Sequence, residues 1–237
     1  MEKIYAVFTG DLIGSSKALP QKVEATMQNL ADTGDRLSRL TGSDTKFTRY
    51  RGDGWQLLLA DPGNFLLGVL LILARLRAAP DTLRTRIAIG AGAVHSLGTS
   101  DLRDAQGFAF TVSGQALDSL KRDRNIVLAS APNDPLGILG GNEDRAAILG
   151  QVDWYGPVIL GLVGFIAGHW TRAQAEAVAI ALEHGQETQA EIAARLGITR
   201  QALNLRLTGA GYGPLRGAVK LTAVFAQPNA LCVHAAS

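Results

Sequence analysis

The segment Phe65–Leu76 (FLLGVLLILARL) constrains this chain more than any other, because its first ten residues carry no polar side chain. A stretch that is apolar on every face needs cover on every side, which leaves a buried core helix or a membrane span. A span needs roughly 20 apolar residues. This segment is closed by Arg75 and Arg77, so a fully covered helix over a sheet is the reading. Tyr155–Gly168 (YGPVILGLVGFIAG) is similar, ended by His169 and Arg172. It also reads as a core helix, with a dimer face as the alternative.

The rest of the chain can supply that cover. It has 237 residues, 47% of them hydrophobic and 19% charged, enough for one large or two modest domains and too apolar for a disordered chain. Cys232 is the one cysteine, which excludes a disulfide framework. With 23 basic against 21 acidic residues the net charge is +2, so no global field draws in nucleic acid. Thr9-Gly10-Asp11 interrupts the apolar start before a signal-peptide core could form. These features point to a cytoplasmic protein with no membrane partner.

The N-terminal half reads as strand, helix, strand, strand, helix, strand. Ile4–Thr9 is a buried strand stopped by Gly10. Val23, Met27, Leu30, Leu37 and Leu40 share a helical face, with Pro20 near the start. Lys46–Arg51 and Trp55–Leu59 flank Gly52-Asp53-Gly54, a hairpin signal. On the first of these strands Arg49 and Arg51 share a face that Lys46 opposes. After the Phe65–Leu76 helix come a strand at Arg84–Ala93, a helix over Thr111–Arg122 and a short strand at Ile126–Ala129. Helices returning over one sheet give an α+β fold of split βαβ, ferredoxin-like type.

The Pro-, Gly- and Asn-rich stretch Ser130–Asn142 marks the boundary between an α/β domain (1–138) and a helical domain (139–237). Within the second, Trp170–His184 reads as a helix with Thr171 as N-cap and Gly185 as C-cap. Thr188–Leu207 (TQAEIAARLGITRQALNLRL) has the pattern of a helix-turn-helix at about 188–208. Gln189–Leu196 forms the first helix and Gly197 the turn. Thr199 caps the second, whose buried side is Ala202, Leu203 and Leu207. Thr199, Arg200, Gln201 and Asn204 then face outward, and Arg, Asn and Gln match the edges of guanine and adenine. From Ile192 to Lys220 there are five basic residues and no acidic one. A packing hairpin is the alternative. The segment resembles the helix-turn-helix of bacterial regulators.

Asp11 ends the first strand and Asp53 sits at the tip of the neighbouring hairpin. Two carboxylates so placed can share Mg²⁺. Gly14, Ser15 and Ser16 offer N–H groups and hydroxyls suited to a polyphosphate. Taken singly, Asp53 would serve as a turn residue and Asp11 as a cap. His95 and His169 lack metal-ligand spacing and read as structural.

The elements GDLIGSS, RGDG, RTRIAIGAG and GQALDSLKR together resemble, in order and spacing, the catalytic domain of class III nucleotidyl cyclases. That resemblance implies a palm-type (cyclase-like) fold. It implies Mg²⁺ or Mn²⁺ on a nucleoside triphosphate, held by Asp11, Asp53 and the Leu12 carbonyl. It also implies a phosphate-stabilising catalytic arginine at Arg122, contributed across a homodimer interface. Asp118 stands where cyclases keep an Asn. Arg49 stands where they keep a base-selecting Lys or Glu. Over nearly its whole length, through Thr9–Ser16, Arg51–Gln56, Trp170–Ala177 and Thr188–Leu207, the chain resembles the SatD-like family of bacterial proteins.

Two functions fit these expectations. One is a DNA-binding transcription regulator whose palm domain senses a metal-bound nucleotide. The other is a two-metal nucleotidyl cyclase or nucleotidyltransferase acting on nucleoside triphosphates.

Overall fold

The computed structural model describes residues 3–50, 52–99, 101–120, 126–129 and 158–225. Its centre is a sheet built from β1 (Ile4–Leu12), β2 (Thr45–Tyr50), β3 (Gly54–Leu59) and β4 (Thr85–Ser96). The strand order is β2-β3-β1-β4, and every neighbouring pair is antiparallel. Helix α1 (Pro20–Thr41) connects β1 to β2, and α2 (Phe65–Ala78) connects β3 to β4. This is the ferredoxin-like α+β arrangement expected from the alternation of elements. Beyond β4, a two-residue β5 (Gln106–Gly107) pairs antiparallel at one end of that strand. At the other end β6 (Ile126–Ala129) pairs parallel with Ile87–Gly90, and α3 (Phe108–Ser119) makes the crossover.

The pleat of β1 divides the core. Ala6, Phe8 and Leu12 point toward α1 and α2, where they meet Leu30, Leu37, Leu66 and Leu70. Tyr5 and Val7 point the other way, against Leu58, Leu102 and Ala109. Seven of the ten residues Phe65–Ala74 are fully buried, as the unbroken apolar run of α2 requires. Leu40 departs from the expected inward face of α1: it lies in the last turn before Gly42 ends the helix at φ 64° and is exposed.

Cover for the outer side of α2 comes from the C-terminal helices. A helical stretch over residues 158–168 (α4) and α5 (Arg172–Glu183) lead into α6 (Gln189–Arg195), α7 (Arg200–Gly209) and α8 (Tyr212–Phe225). Leu160, Val163, Trp170, Ala175 and Val178 share one continuous apolar core with α2. The seam is pinned by polar contacts. Arg77 donates to the Trp170 carbonyl at 2.8 Å, and Arg172 donates to the Ala78 carbonyl at 2.7 Å. Thr171 caps α5 in a reciprocal box with Gln174. His184, not Gly185, occupies the C-cap position. The proposed linker Ser130–Asn142, and with it the 138/139 boundary, lies outside the described residues. No described helix is long and apolar enough to cross a membrane.

Candidate functional site

Asp11 is the last but one residue of β1, paired with Gly54 on one side and Arg86 on the other. It lies on the sheet face that carries Thr9, whose hydroxyl meets that of Ser113 on α3 at 2.8 Å. Its carboxylate therefore opens on the α3 side, away from α1 and α2. Arg86 stands directly across the ladder on the same face. Its Nε donates to Asp11 Oδ1 at 2.8 Å and its Nη2 donates to Asp11 Oδ2, so one guanidinium holds both oxygens. The third nitrogen, Nη1, donates to the Leu120 carbonyl just past α3 at 3.3 Å. The Asp11 hydrogen bond is the main cause that raises the Arg86 pKa. Asp118 and Asp53 add their fields in the same direction.

Beneath this pair runs a buried relay. The Trp55 indole donates to the Thr85 hydroxyl at 2.9 Å, and that hydroxyl donates to the Asp11 carbonyl at 2.7 Å. Gly10 gives the indole its room. A β-carbon there would run into the Trp55 ring and lie 2.6 Å from the Arg86 carbonyl. The Asp53 carboxylate, in the β2–β3 turn behind Gly52 (φ 77°), accepts a hydrogen bond from Ser15. Gly14 (φ 77°) opens the turn that places Ser15 there, with open space where a side chain would stand.

The structure thus brings Asp11, Asp53 and Ser15 to one end of the sheet, and adds Arg86, Asp118 and the end of α3. Leu12 is buried, while Gly14 and Ser16 are exposed beside this end. Arg49 is not brought there. Its ladder partner is Trp55, which faces α1 and α2, so Arg49 sits on the opposite face from Asp11. There it pairs with Glu24 of α1 at 2.7 Å and donates to the Gly52 carbonyl. Arg122, expected as a phosphate-binding arginine, lies outside the described residues.

The fit of this arrangement to a divalent ion follows from its donors. Both oxygens of Asp11 carry a guanidinium, and Asp53 is bonded to a hydroxyl. Among the described residues no three His, Cys, Asp or Glu side chains cluster closely enough to hold a metal. The residues as arranged do not fit a two-ion site. Sequence reading missed Arg86, although a signal was present: one long charged side chain recurs within an otherwise small and apolar strand (RIAIGAG). A charge there needs a partner across the ladder.

In Thr188–Leu207 the structure has two short helices, α6 and α7, joined by a turn. Thr188 and Glu191 make a capping box at the start of α6, Gly197 turns at φ 62°, and Thr199 caps α7 by accepting from the Ala202 N–H at 3.1 Å. Leu203 and Leu207 are buried, while Arg200, Gln201 and Asn204 are exposed and line one polar groove with Gln189. The neighbouring arginines are already engaged, Arg195 by Glu187 and Arg206 by Glu176. The side chains of Arg200, Gln201 and Asn204 form no hydrogen bond or ion pair with the described residues.

No protein-family model and no curated protein matches the chain. Among solved structures it is similar to the catalytic core of a rhodopsin-guanylyl cyclase with converted specificity in complex with ATPαS, at 16% identity. That match covers 51% of this chain and 74% of the other, with a TM-score of 0.39. The guanylyl cyclase Cya2 matches at 18% identity over 50% of this chain and 72% of its own, with a TM-score of 0.33. A bacterial light-regulated adenylyl cyclase matches at 16% identity over 54% and 76%, also at 0.33.

Proposed function

We propose that the chain is a two-part regulator. Its C-terminal helix-turn-helix binds duplex DNA, and its ferredoxin-like part binds a nucleotide at the Asp11 end of the sheet. The observation that carries the DNA reading is the unspent side of α7. Arg200, Gln201 and Asn204 line one groove with no partner among the described residues, while the cations on either side are neutralised by glutamates. A guanidinium and two amides on one exposed face are the donors and acceptors that read base edges in a major groove. The caps at Thr188 and Thr199 hold the two helices at their turn without using those side chains.

The nucleotide half of the reading is supported by the Gly14–Ser16 turn, whose Ser15 bonds Asp53, a carboxylate that acts on Arg86. Occupancy there reaches α7 through α1, α2 and α5, which share one core, and such a signal needs different nucleotide affinity in two conformations. The enzyme reading requires an Asp11 carboxylate open to metal, and its oxygens are held by Arg86.

The test is selection of a duplex from a randomised library with the full chain, followed by electrophoretic shift of the selected site. Arg200→Ala and Asn204→Ala are expected to weaken binding by about 1–3 kcal/mol each and to relax the sequence preference. Selection of no duplex, or unchanged shifts in both variants, overturns the reading.

A further inference from the structure

The Asp11 end of the sheet already holds a cation. Arg86 and Asp11 are direct cross-strand partners, and the guanidinium takes both carboxylate oxygens in a fork while its third nitrogen reaches the Leu120 carbonyl. Each of the three guanidinium nitrogens therefore has a partner. The pair is only partly exposed, at 28% for Arg86 and 25% for Asp11, which limits screening by water. Two further carboxylates, Asp53 and Asp118, act on the same guanidinium from the β2–β3 turn and from α3. Asp53 is itself tied to Ser15.

We infer that Arg86 is the resident cation of this site: its fork occupies the carboxylate of Asp11 and excludes a divalent ion from it. A metal ion bound to Asp11 would have to share the carboxylate with a guanidinium in van der Waals range or eject it. Ejection would leave the Leu120 carbonyl without its donor and a displaced positive charge beside the ion. Neither cost is met by a third ligand, since no such cluster exists among the described residues. A nucleotide bound at this end of the sheet is therefore held without a metal ion bridging it to Asp11. The inference goes beyond the nucleotide reading above and concerns the same residues.

The experiment is Mn²⁺ binding to the full chain, followed by electron paramagnetic resonance, in wild type, Arg86→Gln, Arg86→Lys, Asp11→Asn and the Arg86→Gln/Asp11→Asn double variant. Wild type and Arg86→Lys are expected to show no Mn²⁺ binding that depends on Asp11. Arg86→Gln is expected to gain at least about tenfold in affinity, and the double variant to lose that gain. Wild-type binding that falls about tenfold or more in Asp11→Asn overturns the inference, and so does an Arg86→Gln protein that folds and gains nothing. If Arg86→Gln fails to fold, the wild-type and Asp11→Asn pair still decides. Nucleotide binding in EDTA separates this inference from the functional proposal. Binding that is equal with EDTA and with Mg²⁺ supports the resident cation, and binding that needs both Mg²⁺ and Asp11 overturns it. Absence of any nucleotide binding would sink the functional reading alone, leaving the Mn²⁺ measurement to decide this one.

Discussion

Glu183, at the end of α5, accepts from Arg75 of α2 at 2.8 Å, and its other oxygen accepts from Arg36 of α1 at 2.7 Å. One carboxylate from the C-terminal helices therefore ties both helices of the ferredoxin-like layer. Arg75 is further fixed by donating to the Thr33 hydroxyl.

The two arginines differ in exposure, 15% for Arg75 and 42% for Arg36, while Glu183 is 6% exposed. Breaking the buried side of such a triad leaves a charge unpaired in a dry setting. Glu183→Ala is expected to lower the unfolding free energy by about 3 kcal/mol. Arg36→Ala, at the wet side, should cost under about 1 kcal/mol. Urea unfolding of both variants checks this, and equal losses would mean that Glu183 stabilises through something other than its buried partner.

Gly10 is fixed by close approach and not by backbone conformation. The Trp55 indole fills the space where a β-carbon would stand, and the Arg86 carbonyl closes the other side. Gly10→Ala is expected to destabilise the protein by about 1–3 kcal/mol through overpacking. It should also disturb the Trp55–Thr85–Asp11 relay, visible as a shift in tryptophan emission. A variant with unchanged urea midpoint and emission would refute this account of the site's floor.

Acid should loosen the helix-turn-helix in a defined direction. The Arg195 hydrogen bond holds the Glu187 carboxyl below the usual glutamate range, with His184 adding to it. The Thr188 cap does the same for Glu191. Folded values below the unfolded ones mean that the folded state binds fewer protons in this window. Their contribution is therefore complete above the ordinary glutamate pKa of about 4.3. It drains away as the pH falls through the lower folded values. Amide protection across residues 188–196, taken relative to the intrinsic exchange rate at each pH, should fall between about pH 5 and pH 3. A Glu187→Gln/Glu191→Gln protein should show a flatter profile, and identical acid dependence in both proteins would contradict the assignment.

Arg49 gives a prediction of small effect. Its pair with Glu24 is exposed, with the glutamate side chain 65% accessible, and it lies on the sheet face opposite Asp11. Arg49→Ala should change stability by less than about 1 kcal/mol and leave nucleotide affinity unaltered. A clear loss of nucleotide affinity, measured by calorimetry on the full chain, would place the ligand on the α1 side instead.

Local physics explains what was legible in the residues alone. The apolar run of α2, the hairpin at Gly52-Asp53-Gly54, the turn at Gly197 and the caps at Thr171 and Thr199 each depend on neighbours within a few positions. Sequence periodicity and turn chemistry report such neighbours directly. The alternation of strand and helix was enough to reach the ferredoxin-like order, because short connections leave few other ways to cover one sheet. Which face each side chain reaches, and whom it meets there, was settled only by the ladder register. Asp11 and Arg86 are 75 residues apart, and Glu183 is 108 residues from Arg75. A register shift of one residue would have sent Arg86 to the α2 side and left Asp11 open. Strand pairing over such separations is fixed by packing of the whole core, which no local pattern contains.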